Sequence, residues 1–65
     1  MHDYQQRVIE EKRELDGKRY RLRVFINSPR FLDLDDKSKF LLENQASVME
    51  EYSLILGSRI SHFES

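Results

Sequence analysis

From Asp36 to Phe63 the chain reads DKSKFLLENQASVMEEYSLILGSRISHF, a stretch with no proline and one glycine, Gly57. Its residues are mostly helix formers, and Asp35 and Asp36 suit the positive N-terminal end of a helix dipole, so the stretch predicts one helix over about 36–63. With about 100° per residue and Leu41 as origin, Ile55, Val48 and Tyr52 fall at about 320°, 340° and 20°. Leu56 and Met49 follow at about 60° and 80°, and Leu42 and Ile60 at about 100°. An apolar arc of about 140° is wider than one facing helix covers, which predicts two partners for this helix, its own hairpin mate and another subunit.

Upstream, Asn27, Ser28 and Pro29 form a break. Ser28 suits an N-cap and Pro29 the first helical position of a short turn over about 28–33, through Phe31 and Leu32. Before the break, residues from Asp3 to Ile26 contain no proline and only Gly17, predicting a first helix over about 3–26. Its apolar stripe is narrow: with Val8 as origin, Tyr4 and Leu22 lie at about 320°, Leu15 at about 340° and Ile26 at about 0°. The expected fold is all-α, a single helical-hairpin domain over residues 1–65 in which two long antiparallel helices are joined by a short helical turn. Copies of it are expected to assemble as a symmetric homo-oligomer.

Composition narrows the class further. A chain of 65 residues buries only about 60% of the surface its unfolded form exposes, so its own core is thin. Cysteine is absent, and the only histidines, His2 and His62, stand at opposite ends without ligand spacing around them. Disulfides are thereby excluded, no metal or cofactor is expected, and association is left to supply the missing burial. Apolar residues make up 38% and charged residues 35%, too wet for a membrane span, while the patterned Leu, Ile and Phe argue against disorder. The opening residues lack the basic start and apolar run of a secretory leader, so the cytoplasm is the expected compartment. The net charge of −1 hides an asymmetry: residues 1–30 carry eight Lys/Arg against five Asp/Glu, and residues 31–65 three against seven. Halves of net +3 and −4 can attract each other, and the overall balance disfavours bulk DNA or RNA as a partner.

Several cations fall where apolar residues are expected. On the first helix Arg19 lies at about 20°, within the stripe, with Lys12 at about 40° and Lys18 at about 280° on its flanks. Either their stems lie along the seam and their heads pair with Asp or Glu of the second helix, or Tyr4, Lys18 and Arg19 line an anion site. The run Lys18-Arg19-Tyr20-Arg21-Leu22-Arg23 is most simply a solvated face, although forked guanidinium groups beside a ring also suit a nucleotide. On the second helix Arg59 lies at about 0° and Gln45 at about 40°, inside the apolar arc. A buried guanidinium needs a counter-charge, so Arg59 is expected to meet a carboxylate, helix-terminal carbonyls or a ligand anion; around a three-fold axis, copies of it would converge on one anion. Catalysis is not expected: no serine has a His and Asp in relay positions, and there is no glycine-rich phosphate loop.

The run Tyr4-Gln5-Gln6-Arg7-Val8-Ile9-Glu10-Glu11-Lys12, then Glu14-Leu15-Asp16, Phe25-Ile26, Leu41-Leu42, Gln45, Met49, Tyr52, Leu56 and Arg59-Ile60 resembles a family of short phage proteins. The best-understood members of that family are the anti-CBASS cyclic-nucleotide sponges. The resemblance implies a helical hexamer of interlocked dimers that captures cyclic oligonucleotide messengers in the host bacterial cytoplasm and so starves immune effectors of their signal. It further implies that cyclic dinucleotides such as cyclic GMP-AMP sit between paired subunits at Tyr4 and Arg19 with Lys18 close by. Cyclic trinucleotides would be held at Arg59 with help from Arg23. The competing readings are a helical inhibitor or adaptor that binds protein through its apolar face, and a nucleic-acid binder acting through Lys18 to Arg23.

Overall fold

Asp3 to Ile26 form helix α1, Pro29 to Leu32 a single turn α2, and Asp36 to His62 helix α3. They belong to a computed structural model that describes residues 2–63. Helix α1 opens on His2, whose backbone N–H donates to Gln5 Oε1 at 3.1 Å, one half of a capping box. At its far end Asn27 donates to the Arg23 carbonyl from both its backbone N–H (3.1 Å) and Nδ2 (2.9 Å), and Ser28 Oγ donates to the Phe25 carbonyl at 2.6 Å. These bonds satisfy carbonyls that a helix C-terminus otherwise leaves open. Pro29 then starts α2, where its missing N–H costs nothing. Phe31 is buried and meets Phe25 edge-on, ring centres 6.3 Å apart, which clamps the turn onto α1. Asp35 precedes α3, and the Ser38 hydroxyl three residues on lowers its carboxyl pKa.

The two long helices run antiparallel. Tyr4 meets Phe63, Lys12 reaches Ser53, and Arg23 and Ile26 share a groove with Glu43, Ala46 and Ser47. Between them Val8 and Leu15 of α1 and Leu56 of α3 form the core, with Met49, Ile60 and Phe63 packed against it. Leu56 is 0% exposed, a burial that contributes about 1.5–3 kcal/mol. Gly57, mid-helix, lies where the Lys12 stem crosses: a Cβ there would stand 3.3 Å from Lys12 Cε.

One neighbour covers only part of the α3 arc. Leu42, Met49, Ser53, Leu56 and Ile60 turn inward, whereas Leu41, Val48, Tyr52 and Ile55 remain 41–58% exposed. The result is a rod of 46 × 14 × 14 Å. Its accessible surface is 5358 Å², against about 4,400 Å² for a compact monomer of this mass. A lone hairpin therefore keeps an apolar stripe that a soluble monomer would normally bury. Among the described residues there is no strand, and no helix is long and apolar enough to cross a membrane.

Candidate functional site

The residues singled out by the sequence divide between the middle and the open end of the hairpin. In the middle, Ser53 of α3 is 2% exposed and points at α1. Its hydroxyl donates to Asp16 Oδ1 (2.5 Å) and accepts from Lys12 Nζ (2.9 Å) and, more loosely, from Arg19 Nη1 (3.4 Å). A hydroxyl has one proton and two lone pairs, so all of its capacity is used. Asp16 receives Lys12 Nζ on Oδ2 and Arg19 Nη1 on Oδ1, each at 2.9 Å. The Ser53 hydroxyl, the Lys12 ammonium and the Arg19 guanidinium hold its carboxyl down to about 2, with partial burial opposing them. Arg19 retains 27% exposure of its side chain and opens onto a groove of 190 Å³ shared with Asp16, Tyr20 and Arg23.

These contacts revise one expectation. Lys12 and Arg19 take their carboxylate from Asp16 of their own helix, three or four residues away, and the second helix supplies only the Ser53 hydroxyl. The sequence signal for Ser53 was available: it falls at about 120° on α3, extending the inward stripe beyond Leu42. Lys18 is exposed.

At the open end, Tyr4, Gln5, Arg59, His62 and Phe63 line a groove of 390 Å³. The Tyr4 ring is edge-on to Phe63 with centres 5.8 Å apart, stacks near-parallel on His2 at 5.9 Å, and stays 57% exposed. Arg59 also lines the adjoining groove of 520 Å³ with Leu54, Ile55, Ser58 and His62. Arg59 is exposed in the single chain, on the same outer stripe as Tyr52 and Ile55, because α1 covers the other side of the arc.

One chain does not assemble either of the sequence-derived residue groups. Tyr4 and Arg19 are fifteen positions apart on one helix, about 22 Å. Arg23 sits opposite Glu43 and Ser47, whereas Arg59 lies twelve residues beyond Ser47, about 18 Å. What the fold does bring together is Tyr4 with Arg59, and Arg19 with Tyr20 and Arg23. Gln5, His62 and Phe63 were missed by sequence reasoning, which ranked residues by face and not by position along the rod, whereas Tyr20 already stood out within the Lys18 to Arg23 run. Among the described residues no three His, Cys, Asp or Glu are grouped to hold a metal ion.

Fold and grooves thus define a helical-hairpin protein equipped for binding. A family model described as Sequestin matches residues 2–62, almost the whole chain, and the chain belongs to the Sequestin family. The family name points to sequestration of a ligand. No curated protein and no solved structure matches the chain.

Proposed function

We propose that this protein sequesters cyclic oligonucleotide second messengers without cleaving them, as a phage anti-defence protein that deprives CBASS effectors of signal in the host bacterial cytoplasm. The observation that carries the reading is the placement of aromatic and guanidinium groups on a hairpin whose outer α3 stripe is left uncovered, in a chain of the Sequestin family. Rings supply faces for bases and fixed guanidinium groups meet phosphates, and a symmetric assembly suits ligands that are themselves nearly symmetric. Holding a messenger present at nanomolar to micromolar levels demands about 8–12 kcal/mol, which favours enclosure between subunits over a patch on one surface.

In this reading the cyclic dinucleotide site joins Tyr4 of one copy to Arg19 and Lys18 of another, since about 22 Å of helix separates them within a chain. Arg59 and Arg23 serve a trinucleotide in the same shared manner. The assembly is a homo-oligomer, a hexamer of interlocked dimers. Calorimetric titration with a panel of cyclic dinucleotides and trinucleotides, alongside native mass, tests this. Saturable binding by an oligomer is expected. Tyr4→Ala should abolish dinucleotide binding and Arg19→Ala should weaken it to a level still measurable by calorimetry, both with mass and helicity unchanged, and Arg59→Ala should weaken trinucleotides alone. Flat traces across the panel would remove the proposal. The exposed stripe of Leu41, Val48, Tyr52 and Ile55 also fits a second reading, an inhibitor that docks on a protein; a monomer that ignores every nucleotide would favour it.

A further inference from the structure

We propose that Asp16, anchored across the hairpin by Ser53, is a positioning residue that presents one edge of the Arg19 guanidinium to a ligand phosphate; this rests on the sequestration reading above. A guanidinium has five N–H donors in a rigid plane. The two on Arg19 Nη1 are directed at Asp16 Oδ1 (2.9 Å) and Ser53 Oγ (3.4 Å). The three on Nε and Nη2 bond no described residue, although the side chain is only 27% exposed. That remaining edge is the two-pronged fork that matches a phosphate bidentately.

The anchor itself cannot swing. Asp16 Oδ2 is tied to Lys12 Nζ at 2.9 Å, and Oδ1 to a hydroxyl that is 2% exposed and has spent its whole hydrogen-bonding capacity. A flexible surface arginine must be ordered when it binds, whereas this one is ordered beforehand, which reduces the entropy lost on complex formation. Charge does not argue against an anion here, because one carboxylate stands beside two cations and the group keeps a net positive charge. With Asp16 held near 2 it remains ionised under ordinary conditions. Tyr20 and Arg23 border the same groove, so a phosphate seated on the Arg19 fork has a second guanidinium and a ring within the same recess.

The experiment is a double-mutant cycle read by calorimetry with cyclic GMP-AMP, on Asp16→Asn, Arg19→Ala and the pair, with native mass and helicity recorded for each. Asp16→Asn should weaken binding about tenfold in the parent chain, the scale of one charge-assisted hydrogen bond lost from the fork's support, and should change nothing once Arg19 is alanine. An equal loss in both backgrounds would make Asp16 a structural residue and overturn the proposal, as would tighter binding by Asp16→Asn, the mark of a carboxylate that masks Arg19. Should Asp16→Asn fail to fold, Ser53→Ala keeps the ion pair and removes its anchor. It should cost about threefold, again only when Arg19 is present. A parent protein that binds no member of the nucleotide panel would overturn the sequestration reading and this one with it. A parent that binds while the Asp16 and Ser53 variants match it overturns this one alone.

Discussion

The inner and outer faces of α3 are built from the same kinds of residue and have opposite fates. Leu56 and Met49 turn toward α1 and join the core, while Val48 and Ile55, each one residue before an inward neighbour, face outward at 56% and 58% exposure. Hydropathy alone does not distinguish them. What distinguishes them is the width of α1, which contributes a stripe of Val8 and Leu15 and can cover only part of a 140° arc, about two-fifths of the helix circumference. The inner face therefore holds one chain together, and the outer face is available to hold chains to one another.

Substitutions can break that division. Leu56→Ala on the inner face should be the most damaging, at about 2–5 kcal/mol, a large share of the stability of so small a domain. Chemical denaturation followed by helicity would show it as a fall in midpoint, and an unchanged midpoint would mean that the hairpin core contributes little. Val48→Glu on the outer face should leave helicity nearly intact and shift native mass to a smaller species, because it places a charge on the stripe and not in the core. If it unfolds the hairpin instead, the two faces are a single cooperative unit.

Acid sharpens the comparison by acting on Asp16 in the seam between the helices, and on a second lowered carboxyl, Asp35, at the start of α3. Asp16 has a carboxyl held at about 2 against an ordinary 3.8. The folded chain binds that proton less readily than the unfolded chain, so the contribution is fully present above 3.8 and is lost as pH falls below that value through about 2. Melting temperature should drop across this window in the parent and drop less in Asp16→Asn. The carboxylate is part-exposed, so solvent screening keeps the effect modest. Smallest of all is Gly57→Ala. It gains about 1 kcal/mol of helix propensity, but its methyl would press on a Lys12 stem whose ammonium is tied to Asp16 and Ser53. The two should nearly cancel, leaving a melting point within a few degrees of the parent's.

The helix pair was legible because Leu41 to Ile60 repeat at helical spacing and because Ser28-Pro29 stops one helix and starts the next. The excess width of the arc was legible by the same geometry, and the exposed Leu41, Val48, Tyr52 and Ile55 are its physical counterpart. For Arg59 a helical wheel shows which residues share its face but not which neighbour covers that face, and α1 leaves it exposed. Tyr4 and Phe63 escaped pairing because a wheel has no axial coordinate, and only the antiparallel fold brings residues near the two ends of the chain within 5.8 Å. Asp16 lies at about 80° on α1, beside the apolar stripe, and nothing local announces that a serine thirty-seven residues later will reach it.

That serine also fixes how far one helix can slide along the other. Leucines and methionines tolerate a slip of one turn, about 5.4 Å, because one greasy contact replaces another. A hydroxyl that meets an aspartate and two cations at once does not, because its one proton and two lone pairs are matched to Asp16, Lys12 and Arg19 together in this register. Ser53 thereby acts as the key of a ruler, setting the axial spacing between the aromatic end of the rod and its arginine-rich middle in every copy alike.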